Sequence, residues 1–82
     1  MMVYKFSNTE ISISTANTVY ASPLIRCVNP TTAVVNCTIS VNSSVNLYSF
    51  SIRGNSEIII EKGSTNLIQG TGIVASPVAY RN

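Results

Sequence analysis

The chain has 82 residues, of which 10% are charged and none is histidine, and its net charge is +2. That length holds one domain, and the missing His and Asp exclude the Ser-His-Asp and Cys-His plans for nucleophilic catalysis. Two cysteines cannot supply the three or four ligands of a zinc site, and Lys5, Arg26, Arg53, Lys62 and Arg81 lie singly, with no basic stripe for nucleic acid.

In chain order, residues 1–5 lead into polar sequence and not into an apolar stretch, so no secretory signal is read and the chain is expected to be made in a cytoplasm. Its apolar runs, such as Ile58-Ile59-Ile60, are too short to span a bilayer. Residues 10–14 alternate strictly and place Ile11 and Ile13 on one face. Val19 and Tyr20, between the punctuating Asn17-Thr18 and Ser22-Pro23, read as a short edge strand. Residues 24–28 are apolar on both faces, as a central strand requires. Residues 29–32 read as a turn, with Pro30 presetting φ.

Val35, Cys37, Ile39 and Val41 then recur at a period of two, the pattern of a half-buried strand. After a turn at 42–44, Tyr48, Phe50 and Ile52 alternate with Ser49, Ser51 and Arg53, and Tyr48 and Phe50 read as core. Another turn at 54–56 precedes a strand over 57–62 with Ile58 and Ile60 inward. Residues 63–66 are loop, Leu67-Ile68 a brief strand or half-turn, and Gly70-Thr71-Gly72 a flexible corner. Residues 73–80 close the fold, with Pro77 marking an edge or bulge because it cannot donate to a ladder. Seven or eight short strands at this spacing predict an all-β fold, a compact antiparallel β-sandwich or small barrel, as one domain over residues 1–82. Its core is predicted to gather Val35, Cys37, Ile39, Phe50, Ile52, Ile58 and Ile60.

Little in this pattern carries chemistry. Glu57 and Glu61, four apart on one strand, stand roughly 13 Å apart, too far for a glycosidase pair, and read as solvated charges that protect an edge. Gly70-Thr71-Gly72 lacks the third glycine and the helix of a phosphate loop. Asn36-Cys37-Thr38 and Asn42-Ser43-Ser44 match the glycosylation pattern but follow no secretory signal. A tight turn at 29–32 would set Cys27 opposite Val34 and Cys37 opposite Leu24, so no disulfide is expected and Cys27 and Cys37 read as reduced, buried thiols. Tyr4, Tyr20 and Tyr80, near ends and edges, are the candidate contact residues. No catalytic residue, metal or cofactor is implied.

The C-terminal part, in Ser56-Glu57-Ile58-Ile59-Ile60-Glu61-Lys62-Gly63, Asn66-Leu67-Ile68-Gln69-Gly70-Thr71-Gly72-Ile73 and Ala75-Ser76-Pro77-Val78-Ala79-Tyr80, resembles the ending of short virion structural proteins of tailed phages. Those of marine cyanophages are nearest in style, and the resemblance spans about residues 45–82. It implies an all-β protein that decorates the capsid or belongs to the tail, without catalytic residues.

The sequence is therefore expected to encode a non-enzymatic virion protein, a capsid decoration or cement-like protein that binds the shell in many copies. Its expected partners are the major capsid protein or other virion proteins, with further copies of itself, and neither nucleic acid nor membrane. The alternative is a tail or adaptor component for host attachment, a glycan-binding module using exposed tyrosines. A chain this short, without a metal or disulfide, has little stability to spare alone. Residues 1–6 and 77–82 are expected to be held by neighbouring copies or a shell protein.

Overall fold

The structure, a computed structural model, describes residues 3–6, 8–42 and 45–81, with residues 3–6, 80 and 81 described as backbone. The strands are β1 (Val3–Phe6), β2 (Ile11–Ser12), β3 (Leu24–Asn29), β4 (Val35–Asn42), β5 (Val45–Ile52), β6 (Ser56–Glu61), β7 (Leu67–Gln69) and β8 (Val74–Arg81). They form two antiparallel sheets. The larger has five strands in the order β1-β8-β3-β6, with β2 also on β8, and the smaller has three in the order β5-β4-β7. The chain is an all-β sandwich.

The core lies between the sheets. Ile25, Cys27 and Ala75 from the larger sheet meet Cys37, Ile39, Ile52 and Ile68 from the smaller, joined by Ile13, Val19 and Ile73. Val35, Phe50, Ile58 and Ile60 pack against this cluster half-buried, so all seven predicted core residues take part. Each fully buried isoleucine contributes about 1.5–3 kcal/mol. β3 lies between β8 and β6 with Ile25, Cys27 and Asn29 buried on one face and Arg26 and Val28 only half-buried on the other.

The turn at 29–32 does not join a hairpin. β3 pairs with β6 and β8, whereas β4 pairs with β5 and β7, so the chain crosses from one sheet to the other here. Cys27 accordingly stands opposite Ile58 and Ala75, not Val34. The corner is held by Asn29, a fully buried polar residue. Its Nδ2 donates to the carbonyls of Ala33 (2.8 Å) and Ile52 (2.9 Å). Its Oδ1 accepts from the Thr31 amide (3.0 Å) and hydroxyl (2.6 Å). A buried amide so satisfied favours this corner over a two-stranded ladder.

Further expectations are corrected. Val19, Tyr20 and Ala21 are not a strand but a left-handed turn, with φ of 55°, 59° and 52°. The β4 alternation breaks beyond Ile39, where two register shifts against β5 accompany a buried Ser40 and a half-exposed Val41; a bulge shifts which side chains face inward. Tyr48, opposite Ile39 at the last regular pair, is half exposed and not core. Pro77 lies not on an edge strand but in β8, opposite Ile25. On its other side the described ladder is interrupted, β1 pairing as far as Val78 and β2 resuming at Ala75. The ends pair with each other within one chain, from Val3 with Arg81 to Phe6 with Val78, while residues 1, 2 and 82 lie outside the described residues.

Candidate functional site

Of the three tyrosines singled out as contact residues, Tyr4 and Tyr80 are partners across the β1–β8 ladder, and their side chains lie outside the described residues. Tyr20 is 47% exposed on its left-handed turn. Left-handed backbone costs a residue other than glycine roughly 1–2 kcal/mol, so three in succession need outside support. Asn17 Oδ1 accepts from the Val19 amide (2.8 Å), Thr18 Oγ1 from the Ala21 amide (3.2 Å), and the Ser22 amide donates to the Val19 carbonyl (3.2 Å). Val19 is driven into the core. The Tyr20 hydroxyl shares a 3.0 Å hydrogen bond with Thr9 Oγ1.

Thr9 leads to a cleft that sequence reading missed. A recess of about 380 Å³ is lined by Asn8, Thr9, Glu10, Arg26 and Ser76. Arg26 stands at the middle of β3 and is ion-paired with Glu10 (3.4 Å) and with Glu57 of β6. The Ser76 hydroxyl is buried and has no hydrogen-bond partner among the described residues. Arg26 also lines a second, shallow recess of about 500 Å³ with Asn29, Pro30 and Asn55. No motif announced this arrangement: Glu10, Arg26, Glu57 and Ser76 are distant in sequence and meet only through strand order. Glu57 is thus one arm of an ion-pair cluster, not half of a carboxylate pair.

Cys27 and Cys37 are free and buried on facing sheets of one core. Burial pushes the Cys27 thiol up to about 12, with the charge of Cys37 adding and Lys62 opposing, and burial also pushes Cys37 up. Since the thiolate is the nucleophile, both groups are inert while the fold is closed. Lys62 is itself buried, its Nζ donating to the carbonyls of Gly63 (3.3 Å) and Ser64 (3.2 Å), and burial lowers its pKa. Among the described residues no three His, Cys, Asp or Glu side chains gather as a metal site would need.

The two sheets differ most in charge. The strands of the smaller sheet contain no charged residue, and none occurs from Cys27 to Ile52. All eight charged residues fall on strands of the larger sheet or on connections. At the far end of the β4–β5 hairpin, Val41, Val45, Leu47 and Tyr48 are each about half exposed. The register sets Asn42 opposite Val45 and Ile39 opposite Tyr48. Comparison of the chain with protein-family models, curated proteins and solved structures gives no match.

Proposed function

We propose that the chain is a non-enzymatic virion structural protein of a tailed phage, a capsid decoration or cement-like subunit that seats on the shell in many copies. The observation that carries this reading is the charge-free smaller sheet, ending in the exposed Val41, Val45, Leu47 and Tyr48. Interface cores are depleted of charge and enriched in aromatic and aliphatic groups, because every charge desolvated on docking costs free energy. The larger sheet, with its ions in water, suits the side that stays solvated. The phage-like C-terminal sequence supplies the choice of shell as the partner.

The test is to mix the purified chain with shells assembled without it and to measure copies bound per particle. The expected result is saturable binding in many copies, weakened about tenfold or more, or 1.4 kcal/mol, by Val41→Lys. Val41 is exposed, so this change leaves the fold intact. Absence of binding by the wild-type chain overturns the reading.

One observation favours a second reading, the attachment module. Tyr20 is posed by strained backbone beside a polar recess that holds a buried hydroxyl without a partner among the described residues. An aromatic face next to Arg, Glu and Asn is the composition with which sugars are bound. Calorimetric titration with host surface glycans, repeated with Tyr20→Ala, tests it; binding that survives the substitution removes the recess from consideration.

A further inference from the structure

We propose that two copies of this chain join edge to edge through β5, antiparallel about a two-fold axis at Phe50, so that two three-stranded sheets become one of six strands. β5 ends the β5-β4-β7 sheet and, among the described residues, pairs only with β4. An open strand edge presents unpaired N–H and C=O groups and is a template for another strand unless blocked. The other edges are blocked. β7 has three residues, β1 has four with Lys5 among them, and β6 carries Glu57 and Glu61. β5 has eight residues, no charge and no proline.

The part of β5 that is available is also self-complementary. From Tyr48 to Ile52 its register against β4 is regular, and both shifts lie beyond, toward the hairpin end. The run Tyr48-Ser49-Phe50-Ser51-Ile52 is nearly palindromic. Paired antiparallel with itself, it sets Phe50 against Phe50, Ser49 against Ser51 and Tyr48 against Ile52 of the second copy. Aromatic pairs, aromatic with β-branched pairs and hydroxyl pairs are the favourable cross-strand combinations. Arg53, the nearest charge, falls opposite Leu47 and not opposite itself.

The same operation on β6 gives the reverse outcome. Its Glu57-Ile58-Ile59-Ile60-Glu61 is also a palindrome, about Ile59, and self-pairing sets Glu57 directly against Glu61 of the second copy. Like charges directly opposite are destabilising. One edge therefore rejects its own copy and the other accepts it. Pairing also places Tyr48, 51% exposed although it shares a face with Phe50 and Ile52, against the partner's strand.

Sedimentation velocity of the full chain across a concentration series tests the proposal. Twice the 8.8 kDa chain mass is expected, with dissociation on dilution. Ser49 and Ser51 are exposed, so Ser49→Lys with Ser51→Lys leaves the fold intact, sets Lys against Lys and should yield monomer at every concentration. Ser49→Lys with Ser51→Glu sets Lys against Glu in both halves and should restore the dimer. A wild-type monomer, a double-lysine variant that still dimerises, or a Lys/Glu variant that stays monomeric each overturns the two-fold pairing. The shell reading is judged separately: a monomer that still coats shells defeats this pairing alone, and a dimer that ignores shells defeats the other.

Discussion

The two sheets of this sandwich share one core and divide the remaining chemistry between them. The larger carries Arg26, Glu57 and Glu61 on its outward face, with Arg26 held between Glu10 and Glu57. The smaller has no charge on any strand and relies on Ser, Thr and Asn to meet water. Covering such a surface desolvates no charge, and under the proposed reading the asymmetry divides a wet side from a docking side. It teaches that in a chain with few ions their placement is more informative than their number.

The largest effect that separates the sheets is a core truncation. Ile39 of β4 is fully buried, whereas Ile59 of β6 is 36% exposed on the face of Arg26. Ile39→Ala should cost about 2–5 kcal/mol, the transfer term plus an unfilled cavity. Ile59→Ala, on the wet face, should cost under about 1 kcal/mol. Urea unfolding of the two variants measures both, and equal losses would mean that the outer face of the larger sheet is also packed.

These two residues also mark what the sequence can and cannot disclose. The alternation of Val35, Cys37 and Ile39 places them inward because period two is a property of every pleated strand. Continuing that count to Val41 fails, since a bulge is set by pairing with another strand and leaves no local trace. Tyr48 reads as core from the β5 alternation, yet at the last regular pair before the shifts it is half exposed. The corner between β3 and β4 is held by a buried asparagine side chain whose partners, Ala33 and Ile52 among them, no local pattern announces, and residues 29–32 alone read equally well as a hairpin turn. The candidate recess was least legible, because Glu10, Arg26 and Ser76 are adjacent only after β3 lies beside β8. The charge-free stretch from Cys27 to Ile52 is plain in the sequence, but its meaning needs the strand order that gathers it into one sheet.

A smaller effect lies between the sheets. Cys27 is raised from 9.0 to about 12 in the folded chain, and Cys37 is raised as well. A group whose folded pKa exceeds its unfolded value contributes stability that is fully present below the unfolded value and is lost as pH rises through the folded one. The fold should therefore weaken from about pH 9 to about pH 12, by at most about 1.4 kcal/mol per pH unit for Cys27. Lys62 acts in the opposite sense, since its folded pKa is lowered and the cost of burying its charge disappears as pH rises to 10.5. Melting curves across this range check the sign, and Cys27→Ala should flatten the alkaline slope. A slope unchanged by that substitution would assign the loss to other groups.

The smallest effect should come from the most conspicuous cluster, the ions of the larger sheet. The Arg26 side chain is 28% exposed, and the carboxylates of Glu10 and Glu57 are 50% and 53% exposed, so water screens both pairs. Exposed ion pairs are worth about 0–1 kcal/mol each, because the Coulomb gain is offset by side-chain entropy and desolvation. Arg26→Gln keeps a long side chain over β8 and β6 but removes the charge, and should cost about 1 kcal/mol or less at low salt. At 1 M salt the screening length is about 3 Å, and the difference between variant and wild type should nearly vanish. The smaller sheet has no ions to screen, so salt should leave the loss caused by Ile39→Ala unaltered. If Arg26→Gln instead costs as much as the core truncation at every salt concentration, Arg26 is a structural post of the larger sheet. The wet side would then be held together by its charges and not by the core it shares with the smaller sheet.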